Sequence, residues 1–423
     1  MKFIGEGSIA VFLAMAVGVS PALAVENRPE ALSLPELLQE LRQANPDLQA
    51  AKSQVEAMQA RVPAARGLPP PKIGVEFEEI PRGTFKVNQA TVIYSLLQSI
   101  PFPGKLSLRH QVALAEAQRA AAVFKKAELD LTTQLKRAYY DLFLIDRELE
   151  IQGEQRIWLD QALESARARY GSGGIAQGEL LRAQSEALEA ANQIEVLGHR
   201  RRGLEAHLNH LLNRPVEGRV GRPAEMVLEP VPSGPEELVA RALENQPELL
   251  VFKFSAERAE ADWKLAKREL LPDLETMVEL RDPAMGPVGP WDLTLALVLP
   301  FWFWTKQKYG VKVALFNRES AEHAFQGARN EAARQVHENW HEAKAAYDTA
   351  KLCRDSLIPL ASQSVASEMA SYQSGRGSFM ELLDALRMLA ERRRVYYQHL
   401  AGLEQRIILL EQAVGVALRK EHS

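Results

Sequence analysis

The sequence predicts a mainly α-helical chain carrying a small membrane β part. Three observations support this: an internal duplication, apolar residues at coiled-coil spacing along very long helices, and four short segments that alternate apolar with polar residues.

The duplication shows in landmarks that recur in the same order. Asn45-Pro46-Asp47-Leu48 has its counterpart in Gln246-Pro247-Glu248-Leu249, and Pro71 in Pro272. Pro101-Phe102 matches Pro300-Phe301, and YGSGGIAQGELLRA from Tyr170 matches YQSGRGSFMELLDA from Tyr372. A period this long means two copies of one structural unit. The expected division is a signal peptide over 1–24, a first repeat over 25–213, a linker over 214–235, a second repeat over 236–418 and a tail over 419–423. The Pro, Gly and Val content of the segment from Asn213 to Pro235 marks the linker. Each repeat reads as a helix ending at a proline, two strands, a very long helix, a glycine turn and a second long helix.

The long helices carry a seam. Leu131, Leu135, Ala138, Leu142, Ile145 and Leu149 recur at four-three steps, as do Leu400, Leu403, Ile407, Leu410 and Val414. That is the period of knobs-into-holes packing. From Lys105 to Tyr170 only Gly153 interrupts, which predicts a rod of about 100 Å at 1.5 Å per residue. A compact globule has no use for such a rod, whereas a tunnel wall or a spacer does. Alanines at 113, 115, 117, 120, 121 and 122 permit close helix approach.

The strands are expected at Lys72–Ile80, Gln89–Ile100, Asp273–Arg281 and Asp292–Leu299, with turns at Pro81–Val87 and Pro283–Gly289. Ile73, Val75 and Phe77 alternate with Gly74, Glu76 and Glu78, and Leu293, Leu295, Leu297 and Leu299 alternate with Thr294, Ala296 and Val298. This is the pattern and length of a tilted membrane-barrel strand. Four strands do not close a barrel, which takes at least about eight, and open edges in lipid are too costly. The barrel must therefore be shared between chains.

Composition narrows the function. A net charge of -4 with 25% charged residues gives no reason to expect nucleic acid. The single cysteine, Cys353, builds neither an intrachain disulfide framework nor a zinc-thiolate cluster, and reads as a small apolar filler. Lys2, the apolar run Ile9–Val19 and Ala22-Leu23-Ala24 read as a secretory leader with its cleavage site. No later apolar run reaches the length of a transmembrane helix.

Together, in duplicate and in order, these landmarks resemble the TolC-like outer-membrane efflux family over nearly the whole mature chain. The segment QSIPFPGKLSLR, Gln98 to Arg109, is similar to the strand-to-helix junction of its heavy-metal efflux branch. Members of that branch often carry an N-terminal lipid-modified cysteine, and none stands near the cleavage site here. The resemblance implies a homotrimer with a long coiled-coil α-helical barrel in the periplasm, continued by a trimeric 12-stranded β-barrel in the outer membrane. It implies a passive exit duct of a Gram-negative tripartite efflux system. Its partners would be sister subunits, outer-membrane lipid, a periplasmic adaptor and an inner-membrane pump of the resistance-nodulation-division type.

The resemblance also places the two glycine turns at the periplasmic tip, for adaptor docking and closure. The docking positions are Tyr170, Gly173, Leu180 and Leu181 in the first repeat, and Tyr372, Gly375, Leu382 and Leu383 in the second. Arg167, Arg169, Glu368 and Arg376 are the charges expected near the aperture. Phe102, Phe301, Trp302, Phe303 and Trp304 are expected as an aromatic girdle at the membrane interface. His337-Glu338-Asn339-Trp340-His341 is a literal H-E-x-x-H, the pattern of a zinc peptidase. A metzincin's third ligand would fall on Tyr347, and the run lies inside a long coiled-coil helix. The expectation is therefore no catalytic residue, no metal site and no cofactor. A secreted metallopeptidase and a periplasmic coiled-coil spacer are the alternatives. No phosphate-cradling loop is present to harness ATP, so energy must come from a partner. The sequence does not name the cargo.

Overall fold

The computed structural model describes residues 32–78, 80, 90–281, 290–301 and 303–419. The leader, both turns between strands, Gln89, Trp302 and residues 420–423 lie outside the described residues.

Each repeat opens with two short helices. These are α1 (Leu34–Ala44) and α2 (Pro46–Ala64) in the first, and α5 (Pro235–Asn245) and α6 (Pro247–Arg268) in the second. Proline sits in the first turn of all four, where its missing N–H costs nothing. Asn45 divides α1 from α2. Its Oδ1 accepts from Leu48 N–H at 3.1 Å, capping α2, and its Nδ2 donates to the Leu211 carbonyl at 2.9 Å. α1 and α5 were not expected as separate elements. Leu34, Leu37, Leu38 and Leu41 of α1 are all buried, at the i, i+3, i+4, i+7 spacing of one helix face.

Strands β1 (Lys72–Glu78), β2 (Thr91–Ile100), β3 (Asp273–Arg281) and β4 (Trp291–Val298) form one antiparallel sheet in the order β1-β2-β3-β4. The boundaries differ slightly from expectation. β1 stops before Ile80, and β2 starts at Thr91. β4 runs from Trp291 to Val298, because its partner β3 begins at Asp273, directly after Pro272, and Asp273 pairs with Val298. Leu299 therefore has no strand to pair with.

β2 feeds α3 (Lys105–Gly171), which continues unbroken through Gly153 for 67 residues, about 100 Å. α4 (Gln177–Leu211) returns alongside it. In the second repeat the rod is assembled from pieces. A π-helical turn at Phe303–Gln307 leads into α7 (Lys308–Leu352). A second at Cys353–Leu357 leads into α8 (Ile358–Gln373), and α9 (Phe379–Val414) returns. Pro359 explains the second π turn. Within an α-helix its ring would collide with the carbonyl of residue 355, and one wide turn relieves that collision.

The order of strands dictates the order of helices. α2 enters β1, β2 leaves into α3, α6 enters β3, and β4 leaves into α7. The helices next to the sheet accordingly neighbour one another as α2-α3-α6-α7. Further away, α3 packs between α4 and α9, with α7 and α8 beyond α9. The expected seams fill these contacts. Leu135, Ala138, Leu142 and Ile145 are buried with α1 and α4, and Leu400, Leu403, Ile407, Leu410 and Val414 are buried with α5 and α7. Ala115, Ala117 and Ala122 are buried along α3. No helix among the described residues is long and apolar enough to cross a membrane.

Candidate functional site: the helical tips and the sheet

The far end of the rods is built twice from the same local geometry. Ser172 N–H bonds the Ala168 carbonyl at 3.2 Å, and Ser374 N–H bonds the Ala370 carbonyl at 3.1 Å. Gly173 and Gly375 follow at φ +78° and +77°, a left-handed conformation that glycine adopts without penalty. Each of their N–H groups bonds the carbonyl of the tyrosine three residues back, Tyr170 or Tyr372, at 3.0 Å.

From there the tips diverge. Ser378 caps α9 in a reciprocal box with Glu381, whereas Ala176 gives α4 no side-chain cap. Tyr372, Leu382 and Leu383 are buried in a core that joins both hairpins, together with Phe379, Leu159 and Ala166. Leu180 packs partly buried against that core, while Tyr170 and Leu181 are exposed. Of the expected docking side chains, the two exposed ones thus belong to the first repeat.

Among the described residues, no ion pair links the expected aperture charges across the hairpins within one chain. Arg167 bonds Glu164 of its own helix at 2.5 Å, and Arg376 reaches the hydroxyl of its own turn's Ser374 at 3.4 Å. Glu368 is half-buried on α8. Arg169 is the one that crosses, its guanidinium 5.2 Å from the centre of the Tyr372 ring. Arg387 pairs with Glu186, also from one hairpin to the other. Sequence reasoning missed both links, because their partners lie about two hundred residues apart and only the fold brings them together.

At the other end the sheet has two unlike faces. Cross-strand partners share a face. Phe77-Val92, Val75-Tyr94-Leu280-Trp291, Ile73-Leu96-Val278-Leu293 and Ile100-Leu274-Leu297 stack into one apolar surface. Ile73, Leu293, Leu295 and Leu297 are all more than half exposed on it. The opposite face carries Glu76, Ser95 and Glu279 among others. Phe301 and Trp304 are exposed just past β4, and Phe102 is half-buried after β2. Phe303 begins the first π turn.

A clasp joins sheet to helices. Lys105 Nζ, almost wholly buried, bonds Asp273 Oδ1 at 2.7 Å and the Leu271 carbonyl at 2.9 Å. Phe102 N–H donates to the same Asp273 oxygen at 2.7 Å.

The H-E-x-x-H run is a plain length of α7. His337 and His341 are exposed with ring centres 6.5 Å apart. The Glu338 carboxylate is held by Arg334 at 2.5 Å, and Trp340 donates to the Ser233 carbonyl at 2.9 Å. Nothing in this arrangement supports hydrolysis. Among the described residues no three His, Cys, Asp or Glu side chains converge to hold a metal. Cys353 is buried in the second π turn, where burial pushes its thiol pKa up.

Known proteins share this arrangement. The profile of the family described as outer membrane efflux protein matches residues 37–214 and 238–416. Protein CyaE of Bordetella pertussis is 32% identical over 195 residues, 42% of this chain and 41% of that protein, so the match spans less than half of that relative. The cobalt-zinc-cadmium resistance protein CzcC of Cupriavidus metallidurans is 20% identical over 377 residues, 88% of this chain and 87% of that protein. The Campylobacter jejuni CmeC outer membrane channel superposes with a TM-score of 0.79 at 13% identity, over 99% of this chain and 96% of that one, which is a likeness of fold. With its two repeats matched by the profile and its four-stranded sheet set on long helical hairpins, the chain belongs to the outer membrane efflux protein family.

Proposed function

We propose that three copies of this outer-membrane channel subunit pool their sheets into one 12-stranded barrel, continued by a helical barrel across the periplasm, as a passive exit duct. The observation that carries this is the matched pair of open layers. The sheet has free edges at β1 and β4, and the helical layer has flanking helices α2 and α7 in the same order. A sheet with one largely apolar face and two open edges is unstable both in water and in lipid. Closing it against sister subunits hides the edges, turns the apolar face to lipid and leaves the polar face around a water-filled bore.

The tips are the natural meeting point with a periplasmic adaptor. The exposed Tyr170 and Leu181 offer contacts there, and Tyr372, Leu382 and Leu383 hold the tip together. An adaptor favouring an open arrangement would shift the tips by its differential affinity for that state. The chain supplies no energy of its own in this reading, so an inner-membrane pump drives transport. Likeness to a cobalt-zinc-cadmium resistance protein supports the heavy-metal branch. Electron microscopy of detergent-solubilised protein tests the assembly. A threefold hollow cylinder is expected, and a monomer stable in plain buffer would refute it.

A further inference from the structure

The duplication supplies a template for contacts that one chain cannot make with itself. Tyr139 donates to the Leu32 carbonyl at 3.2 Å and Trp340 to the Ser233 carbonyl at 2.9 Å, the partners lying 107 residues apart in each case. At this level α3 and α7 therefore match residue for residue. Between the repeats, α3 stands against α6 and α9. Closing the helical layer sets α7 of one copy against α2 and α4 of the next in the same way.

A cavity of about 270 Å³ lies where α3, α6, α7 and α9 meet. Glu248 enters it from α6, Gln335 from α7, Leu409 and Gln412 from α9, and Lys126 and Asp130 from α3. Lys126 is its cation, 3.1 Å from Asp130 and 3.9 Å from Glu248, and Gln412 donates to Asp130 at 2.7 Å. A second cavity, of about 220 Å³, repeats three of these four walls. Asp47 stands for Glu248, Gln134 for Gln335, His207 for Leu409 and His210 for Gln412. The fourth wall belongs to the neighbouring copy, where the α7 residues matching Lys126 and Asp130 are Gly327 and Glu331. In the closed ring the partner subunit's Glu331 faces His210 and Asp47. The partner subunit's Gly327 brings no ammonium to stand between the two carboxylates. Arg334 holds Glu331 from its own helix, but it is shared with Glu338 at an exposed surface, where such pairs are weak.

We propose that each seam between subunits holds a divalent transition metal ion, ligated by His207, His210 and Asp47 of one chain and Glu331 of the next. The proposal rests on the duct reading, because only closure into a ring brings the fourth ligand to the other three. The ion takes the place that the Lys126 ammonium holds in the complete cavity, neutralising two converging carboxylates. Two imidazoles and two carboxylates form a four-coordinate set that suits zinc, whereas magnesium and calcium favour oxygen ligands. His207 and His210 are exposed and one turn apart on α4, so their rings turn towards an ion at little cost. Among the described residues of a single chain no such set converges, as expected of a site divided between two copies. The ion staples the assembly and takes no part in selecting cargo.

Zinc chloride titrated into the metal-stripped, detergent-solubilised full chain tests this. His337→Gln with His341→Gln serves as the background, since it removes the other exposed histidine pair. One zinc per chain is expected, and the temperature at which the oligomer dissociates on native electrophoresis should rise by several degrees. Glu331→Gln and His210→Gln should each lose both effects, and magnesium chloride should produce neither. Zinc held equally well by Glu331→Gln would be an adventitious ion only, bound by the two histidines, and overturns the proposal. A dissociation temperature indifferent to zinc overturns it too. A chain that stays monomeric with and without zinc would instead sink the duct reading, and the site with it.

Discussion

The junction between sheet and helices depends on a single ammonium. Lys105 is buried against Asp273 and the Leu271 carbonyl, and Asp273 also holds Phe102 N–H. Removing either partner strands the other, but not equally. Asp273 is partly open to solvent and keeps its backbone donor, while Lys105 would be left as a buried charge. Asp273→Ala is therefore expected to cost about 3 kcal/mol, and Lys105→Met clearly less. Denaturation midpoints in one detergent provide the comparison, and equal losses would contradict it. A second residue-scale expectation concerns pH. Burial raises the Glu404 pKa above its ordinary 4.5, although Arg419 and its hydrogen bond pull the other way. Above 4.5 the folded chain then holds a proton that the unfolded chain has lost, so this residue's contribution to stability falls as pH rises through that window. Melting temperatures of wild type and Glu404→Gln should diverge in favour of the variant as pH rises above 4.5. A gap that narrows as pH rises would show the opposite linkage. Neither residue stood out in the sequence. A lysine five residues after a strand and a glutamate inside a heptad look like surface positions until the fold brings Asp273 and Arg419 to them.

At the scale of elements, the two tips share a backbone and differ in how firmly they are held. α9 begins with the Ser378–Glu381 box and buries Phe379, Leu382 and Leu383 within its first turns. α4 begins at an uncapped Ala176 and leaves Leu181 exposed. Amide hydrogen exchange should therefore be faster over 172–181 than over 374–383, since a missing cap costs about 1 kcal/mol and shallow burial costs more. Slower exchange in the first tip would mean that contacts beyond the single chain dominate there. Most elements could be read from the sequence. The glycine turns, the strands and the heptads each announce themselves by residue type and period. The short helices α1 and α5 are not read as separate elements from the sequence, although the four leucines of α1 carry a helical stripe. The π turns left only Pro359 as a signal, and a proline does not say whether a helix will break, kink or widen by a turn.

At the scale of the whole molecule, the flanking helices carry complementary shapes. On α7, Tyr309, Val313 and Phe316 point away from the half-buried Leu315, and all three are more than half exposed. On α2, Ala50, Ser53, Ala57, Ala60 and Ala64 form an exposed stripe at three-four spacing, opposite the face that meets α3. The two helices run in opposite directions relative to the sheet, so the sheet-proximal alanines lie level with the bulky α7 residues. Large knobs facing a groove of small side chains give close antiparallel packing, and in the proposed trimer a second copy of the chain would supply the missing half of each contact. In that trimer the same encounter would bring β4 beside the next β1, so helix packing and barrel closure stand or fall together. Phe316→Asp places a charge in that contact without disturbing the interior of one subunit. It is expected to abolish the trimer on native electrophoresis and, with it, insertion into liposomes, because an unclosed sheet exposes its backbone groups to lipid. Phe316→Leu keeps an apolar knob and should retain both. A trimer that survives the aspartate would place the subunit boundary elsewhere and would leave the exposed stripe of α7 without a partner.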